Sequence, residues 1–248
     1  MITIEQPTRW LGNSLFQIAA AVGVAEANGD SALIPGWHYY TDFVGPFALY
    51  RGEPYDYTHA EGGFHYTPVA YHSRMALLGY FQSEKYFSHC QHRIRSLFEF
   101  RDVVKTKCLE TVAKLKAGPS CAVHVRRGDY LKLPLHHPVL PVDYYEQAMC
   151  LMCQRVPGVS FFVFSDDPVW CETSLPGTTV IRDHRDAEDL YLMSQCDHHI
   201  IANSSFSWWG QWLSKNPNKI CVAPKVWHGP EYAHWIHDDL YTKDMVQM

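Results

Sequence analysis

Cys121-Ala122-Val123-His124-Val125-Arg126-Arg127-Gly128-Asp129-Tyr130 is the stretch on which the fold turns. A short apolar run carries one histidine, then breaks into two arginines, a glycine and an aspartate. This pattern reads as a buried β-strand whose C-terminal end delivers charge into a loop. Open α/β sheets bind ligands just outside the carboxyl ends of their strands. Two adjacent guanidinium groups at such an end suit a phosphate or carboxylate, because Arg stays charged and presents a rigid fork of donors. The alternative is an Arg–Asp ion pair that only pins a turn, and the stretch by itself leaves both readings open.

Working outward, Gly118-Pro119 punctuates the chain ahead of the stretch and sets a domain boundary. After it, strands and helices alternate. A strand over 121–126 leads into a loop holding Pro134, His136, His137, Pro138 and Pro141. A helix over 142–155 precedes a strand over 159–165, and Pro168 starts a short helix. A strand over 178–182, a helix over 186–195, a strand over 197–202, a helix over 205–215 and a strand over 219–223 complete the run. Such alternation predicts a parallel, doubly wound sheet. Right-handed crossovers then bring Arg126, Asp166, Asp183 and Asn203 to one rim.

Ahead of Gly118 the pattern is less regular. Residues 1–35 read strand, turn, helix, strand, with Leu15, Ile18, Ala19, Val22 and Ala25 at helical spacing and Asn13 as the helix N-cap. Residues 36–76 show no sustained period and are rich in Gly, Pro, Tyr and His. Trp37, Tyr39, Tyr40, Tyr55 and Tyr57 there fit either sugar stacking or loop packing. A strand over 77–81 and helices over 83–98 and 102–116 follow, with Ser83 capping the first. The tail from Trp227 to Met248 reads as a helix returning toward the N-terminal half.

Composition narrows the function. The 248 residues are 47% hydrophobic and 19% charged, ordinary for a soluble globular protein, and the net charge of −5 gives a nucleic-acid partner no support. No apolar run approaches the roughly 20 residues that span a bilayer, and no secretory leader opens the chain, so a soluble, cytoplasmic protein is expected. The eight cysteines are then reduced and mostly buried, with Cys150 and Cys153 packed in the core.

Three further groups bear on the site. Asn203-Ser204-Ser205-Phe206 leaves a strand and opens a helix, where free N–H groups and the helix dipole favour an anion; ordinary capping by Ser204 or Ser205 is the competing role. Asp186 and Asp189 fit N-cap and N3 of the preceding helix. Asp166-Asp167-Pro168 fits a helix cap with Pro at the first position better than a metal site.

The decade also carries a resemblance. His124-Val125-Arg126-Arg127-Gly128-Asp129-Tyr130 resembles the signature of the α-1,2-fucosyltransferases, glycosyltransferase family 11. Gly79-Tyr80-Phe81-Gln82, Phe162-Val163-Phe164-Ser165-Asp166-Asp167 and Asn203-Ser204-Ser205-Phe206-Ser207-Trp208-Trp209 match at family spacing. Gly12-Asn13 also match, whereas Trp10 and Ser14 depart from the pattern.

The resemblance implies an α/β, GT-B-like architecture of two facing Rossmann-like domains. Residues 1–117 would form an abbreviated acceptor-side domain, and residues 118–248 a GDP-sugar-binding domain with its tail. It implies inverting transfer of L-fucose from GDP-fucose to a sugar hydroxyl of a β-galactoside-terminated glycan, in a 1,2-linkage, with neither metal nor cofactor. Arg126 would face the diphosphate, with Arg127, Ser204, Ser205, Asn203 and Phe206 around the nucleotide and His124 helping to hold it. Asp189 would meet the guanine base, Asp129 would orient the arginines or help activate the acceptor, and Asn13 would act in transfer from the other domain. Animal members carry an N-terminal membrane anchor; this chain resembles the anchor-free type. An α-1,6- or protein O-fucosyltransferase and a non-catalytic GDP-sugar- or glycan-binding protein are the alternatives.

Overall fold

The structure is a computed structural model describing residues 1–248. The chain divides into two compact units, Met1–Val103 with Trp235–Thr242, and Val104–His234 with Lys243–Met248.

The first unit is built on a three-stranded parallel sheet of β1 (Ile2–Ile4), β2 (Tyr57–Ala60) and β3 (Met75–Leu78), in the order β1-β3-β2. Helix α1 (Leu11–Ala27) is buried almost throughout its first four turns. Its N-cap is Trp10, so Asn13 is not the expected cap; it lies inside the first turn and its Oδ1 accepts from Gln82 Nε2 at 2.9 Å. The helix expected over 83–98 is broken into turns at Glu84–Tyr86 and Ser88–Cys90 before α2 (Gln91–Leu97). The break lets backbone pack directly on α1: a Cβ at Gly23 would lie 2.1 Å from the Tyr86 carbonyl oxygen. Ser83 caps the first turn as expected. Trp37 stacks on Phe43 and meets Tyr39 and Phe47 edge-on, which makes it loop packing.

Helix α3 (Asp102–Lys107) spans the division between units, and α4 (Leu109–Leu115) packs on α7 (Asp186–Gln195). That contact draws residues 104–117 into the second unit, ahead of the boundary expected at Gly118.

The second unit's core is a six-stranded parallel sheet. Its strands are β4 (Ser120–Val125), β5 (Ser160–Ser165), β6 (Thr179–Val180), β7 (His198–Ile200), β8 (Cys221–Ala223) and β9 (Met245–Gln247), in the order β6-β5-β4-β7-β8-β9. Helices α5 (Val142–Arg155), α6 (Pro168–Ser174), α7 and α8 (Ser205–Leu213) fill the connections. The tail therefore supplies an edge strand and isolated turns where a helix was expected, although Trp235–Thr242 does return to the first unit.

Strand β4 is buried at every residue because both faces are covered. Cys121, Val123 and Val125 pack against Tyr144, Tyr145, Ala148 and Met152 of α5. Ala122, on the opposite face by strand alternation, meets Phe162, Phe164, Leu192 and Met193. All eight cysteines are free; Cys150 and Cys153 are exposed, since the buried face of α5 is taken by those tyrosines, Ala148 and Met152. No helix is long and apolar enough to cross a membrane.

One buried amide ties the first unit together. Gln17 Nε2 donates to the carbonyls of Gln6 and Gly79, and its Oε1 accepts from Thr8 N. Each buried polar group left unpaired costs about 1–3 kcal/mol. Gln17→Ala is expected to lower unfolding stability by at least about 2 kcal/mol on that scale, read from the urea midpoint, whereas a surface change such as Lys114→Ala leaves it in place.

Candidate active site

The chain leaves β4 toward β5 and β6, then crosses back to lay β7 on the other side of β4. The carboxyl ends of β4 and β7 therefore flank a topological switch point, the place where open parallel sheets bind ligands. Arg126 follows one strand and Asn203-Ser204 follow the other.

Arg126 is held from two sides. Its Nη2 lies 2.8 Å from Asp129 Oδ1 and its Nε 3.2 Å from Asp166 Oδ2. Its guanidinium carbon sits 5.6 Å from the Tyr130 ring centroid. Burial opposes the charge, but the two carboxylates hold the guanidinium above its ordinary value. Gly128 is part of the same clamp, because a Cβ there would meet Asp166 Oδ2 at 2.8 Å. Asp166 thus buttresses the site, and its signal was its place on the rim expected from the strand pattern.

Arg127 turns away from this arrangement. Its Nε pairs with Asp167 Oδ2 at 3.0 Å, its guanidinium lies over the Trp170 ring at 4.0 Å, and its backbone N–H donates to Asp166. The adjacent arginines therefore divide, with Arg126 in the switch-point clamp and Arg127 anchoring β4 to α6. Asp167 also caps α6 by accepting from Trp170 N, with Pro168 at the first position. Both neighbouring carboxylates are thus engaged by arginines and a helix end, as the capping reading expected.

His124 is buried at the end of β4, on the α7–α8 side of the sheet, with Phe206 tilted against it at 5.4 Å. Burial, reinforced by the Arg126 charge, pushes the imidazole down to about 3, so it is neutral. Its Nδ1 is buried and makes no hydrogen bond within the protein. Ser204 caps α8 by accepting from Phe206 N at 3.3 Å, and Ser205 opens the helix. Trp208 and Trp209 are wholly buried in the core.

Asn203, expected among the nucleotide contacts, commits its Nδ2 to the protein, whereas its Oδ1 is buried and accepts no hydrogen bond. It is buried, and its Nδ2 donates to the carbonyls of Pro138 and Trp227, both at 3.0 Å, while its own carbonyl accepts from Tyr130 OH at 2.9 Å. It ties two loops to the rim.

The Asp186–Asp189 capping pattern is displaced by one residue. Arg185 is the N-cap, and Glu188 at N3 accepts from Arg185 N at 2.9 Å and Arg185 Nε at 3.0 Å. Asp189 is left without a capping role. Its Oδ1 is buried and accepts no hydrogen bond. Burial first, then the charges of Asp186 and Glu188, pushes its carboxyl up to about 8. An unpaired carboxyl so placed is a marker of a ligand site.

The switch-point arrangement therefore offers a clamped guanidinium, a helix N-terminus and a neutral imidazole, and the first turn of α7 in the same unit holds a carboxyl lacking partners. Asn13 lies in the first unit, with its amide oriented by Gln82.

Known proteins resemble this chain. An alpha-1,2-colitosyltransferase of Escherichia coli is 34% identical over 164 residues, covering 60% of this chain and 55% of that protein. Galactoside alpha-(1,2)-fucosyltransferase 1 of Bos taurus is 28% identical over 242 residues, covering 86% of this chain and 66% of that protein. The chain thus spans between about half and two thirds of the length of these curated relatives. Among solved structures, that of the NodZ alpha-1,6-fucosyltransferase soaked with GDP-fucose superposes with a TM-score of 0.54 at 15% identity, over 88% of this chain and 96% of that one. The two parallel-sheet α/β units accordingly have the GT-B type of fold. The model of glycosyl transferase family 11 matches residues 53–248, a span that takes in the Arg126 turn, the α7 carboxyl and the α8 start together; the chain belongs to that family.

Proposed function

We propose that this chain transfers L-fucose from GDP-fucose to a hydroxyl of a β-galactoside-terminated glycan, with inversion and in an α-1,2 linkage. The observation that carries the reading is Arg126, fixed by Asp129 and Asp166 beside the start of α8 at the sheet's switch point. Departure of GDP places growing negative charge on the diphosphate and positive charge on the sugar. Preorganised donors aimed at that developing charge are the largest catalytic term available to such a site. Arg126 and the α8 N-terminus with Ser204 and Ser205 supply them. His124, neutral and wedged against Phe206, offers a ring nitrogen to the nucleotide. Asp189 takes the guanine, whose N1–H and exocyclic NH₂ present two donors to the two oxygens of a carboxylate. Asp129 orients Arg126, and Asn13 serves the acceptor side. Turnover of labelled GDP-fucose on a panel of β-galactosides tests the reading; absence of transfer to every member overturns it. The colitosyltransferase relative favours a second reading, in which the donor is another GDP-deoxysugar, and GDP-colitose in the same assay separates the two.

Arg126→Ala is expected to reduce kcat by about 10²–10³, the effect of losing one preorganised donor, with circular dichroism and GDP-free melting close to wild type. Near-wild-type turnover removes the diphosphate assignment. Because Asp166 and Asp167 are already paired with arginines, activity is expected to survive EDTA; a strict need for added Mg²⁺ or Mn²⁺ contradicts this.

Asp189 gives the third expectation. Its folded carboxyl stays protonated to about pH 8 while the unfolded chain releases the proton near 3.8, so this group lowers stability as pH rises through that window. Asp189→Asn is therefore expected to melt higher than wild type at pH 8, with the difference closing by pH 4. Guanine binding favours the ionised form, so wild-type affinity for GDP rises from pH 6 to pH 8 more steeply than that of the variant. At pH 8 the variant binds GDP about 10–150-fold more weakly and prefers it less over ADP. An unchanged GDP:ADP ratio in calorimetric titration removes the base assignment.

A further inference from the structure

The first unit has a sheet edge of its own. Strands β1, β2 and β3 run parallel, so the residues following Ile4, Ala60 and Leu78 gather at one edge, where parallel sheets bind ligands. Glu61 leaves β2 there and the Gly79–Phe81 turn leaves β3. Glu61 Oε2 accepts from Tyr80 N at 2.7 Å and from Phe81 N at 2.9 Å. Both bonds fall on one oxygen, so the carboxylate is fixed in orientation while Oε1 remains for another donor.

The backbone is bent to make this contact. Phe81 sits at φ +54° and Gly79 at φ +151°, and a Cβ on Gly79 would lie 2.4 Å from Glu61 Cβ. A non-glycine residue held in the left-handed region is a strain that functional sites retain. Burial pushes the Glu61 carboxyl above the ordinary value, with the two N–H bonds pulling it back. Tyr80, whose N–H binds this carboxylate, is itself 45% exposed. A fixed carboxylate oxygen next to an exposed aromatic residue suits a sugar: hydroxyls donate to the oxygen, and the apolar ring face lies on the aromatic.

We infer that Glu61 is the acceptor-binding carboxylate of this chain, its Oε1 receiving a hydrogen bond from a glycan hydroxyl while the Tyr80 ring lies against the sugar. The inference rests on the glycan-transfer reading above and names the residue that recognises the acceptor. The test uses the whole protein with N-acetyllactosamine as the probe, in steady-state kinetics and in calorimetric titration with GDP present. Glu61→Gln is expected to raise acceptor KM by about tenfold or more, the loss of a charge-assisted hydrogen bond. Tyr80→Ala is expected to raise it several-fold, and GDP affinity stays unchanged in both. An unchanged acceptor KM in folded Glu61→Gln overturns the assignment while leaving fucosyl transfer intact. If the wild type transfers nothing, the transfer reading falls separately and the titration decides: wild-type binding lost in the variant keeps Glu61, whereas equal binding or none overturns it. If Glu61→Gln does not fold, Tyr80→Ala, whose ring is exposed, decides by the same measurement.

Discussion

A strand covered on both faces cannot carry charge until it ends. Strand β4 lies at the middle of a six-stranded parallel sheet, buried at every residue, and the chain turns abruptly ionic at Arg126. The charge of the Arg126-Arg127 turn is consequently held to the carboxyl edge, where burial of the strand stops. The Arg126 guanidinium there is not loose. Asp129 reaches it from its own turn and Asp166 from the neighbouring strand, and Gly128 keeps the space that lets Asp166 approach. The same density that buries β4 thus fixes the charge beyond it.

Much of this was legible in the residues because it rests on period and punctuation. The alternation after Gly118 gives the parallel sheet nearly element for element, and Asp167-Pro168 and Ser204 cap the helices they precede. What escaped depends on contacts between segments remote in sequence. Nothing near Arg126-Arg127 says that one guanidinium stays in the switch-point clamp while the other stacks on Trp170. Two acids at a helix start leave Asp189 between a cap and a base contact; Glu188 takes the cap and leaves Asp189 without one. Asn203 fits a ligand contact by its position at a strand end, and nothing there says that its Nδ2 joins the Pro138 and Trp227 carbonyls while its Oδ1 stays unpaired. The unit boundary moved because α4 packs on α7, a tertiary choice that Gly118-Pro119 cannot reveal.

The proposed site includes polar groups left unpaired at a cost to the fold. A buried imidazole nitrogen and a buried carboxyl oxygen, on His124 and Asp189, have no hydrogen bond within the protein. Burial strips each of its charge, and each is costly while it stays unpaired. Groups of this kind are stored recognition: the desolvation has been met during folding, so a ligand that supplies the missing partner does not meet it again. The arrangement also discriminates, because a ligand with the wrong donor pattern leaves them unpaired.

The edge strand β9 has a consequence for how the molecule is made. Residues Met245–Gln247 pair with β8, and Lys225 N donates to the Met248 carbonyl, yet the segment Trp235–Thr242 just before them belongs to the other unit. Neither unit is therefore a continuous piece of chain. During synthesis the sheet of the second unit stays open along β8, and the first unit lacks the Asp239 carboxylate that receives Tyr66 N and Lys85, until residues 239–247 emerge. Pairings this distant raise contact order and slow folding. Completion of both units is thereby tied to one stretch, residues 235–248.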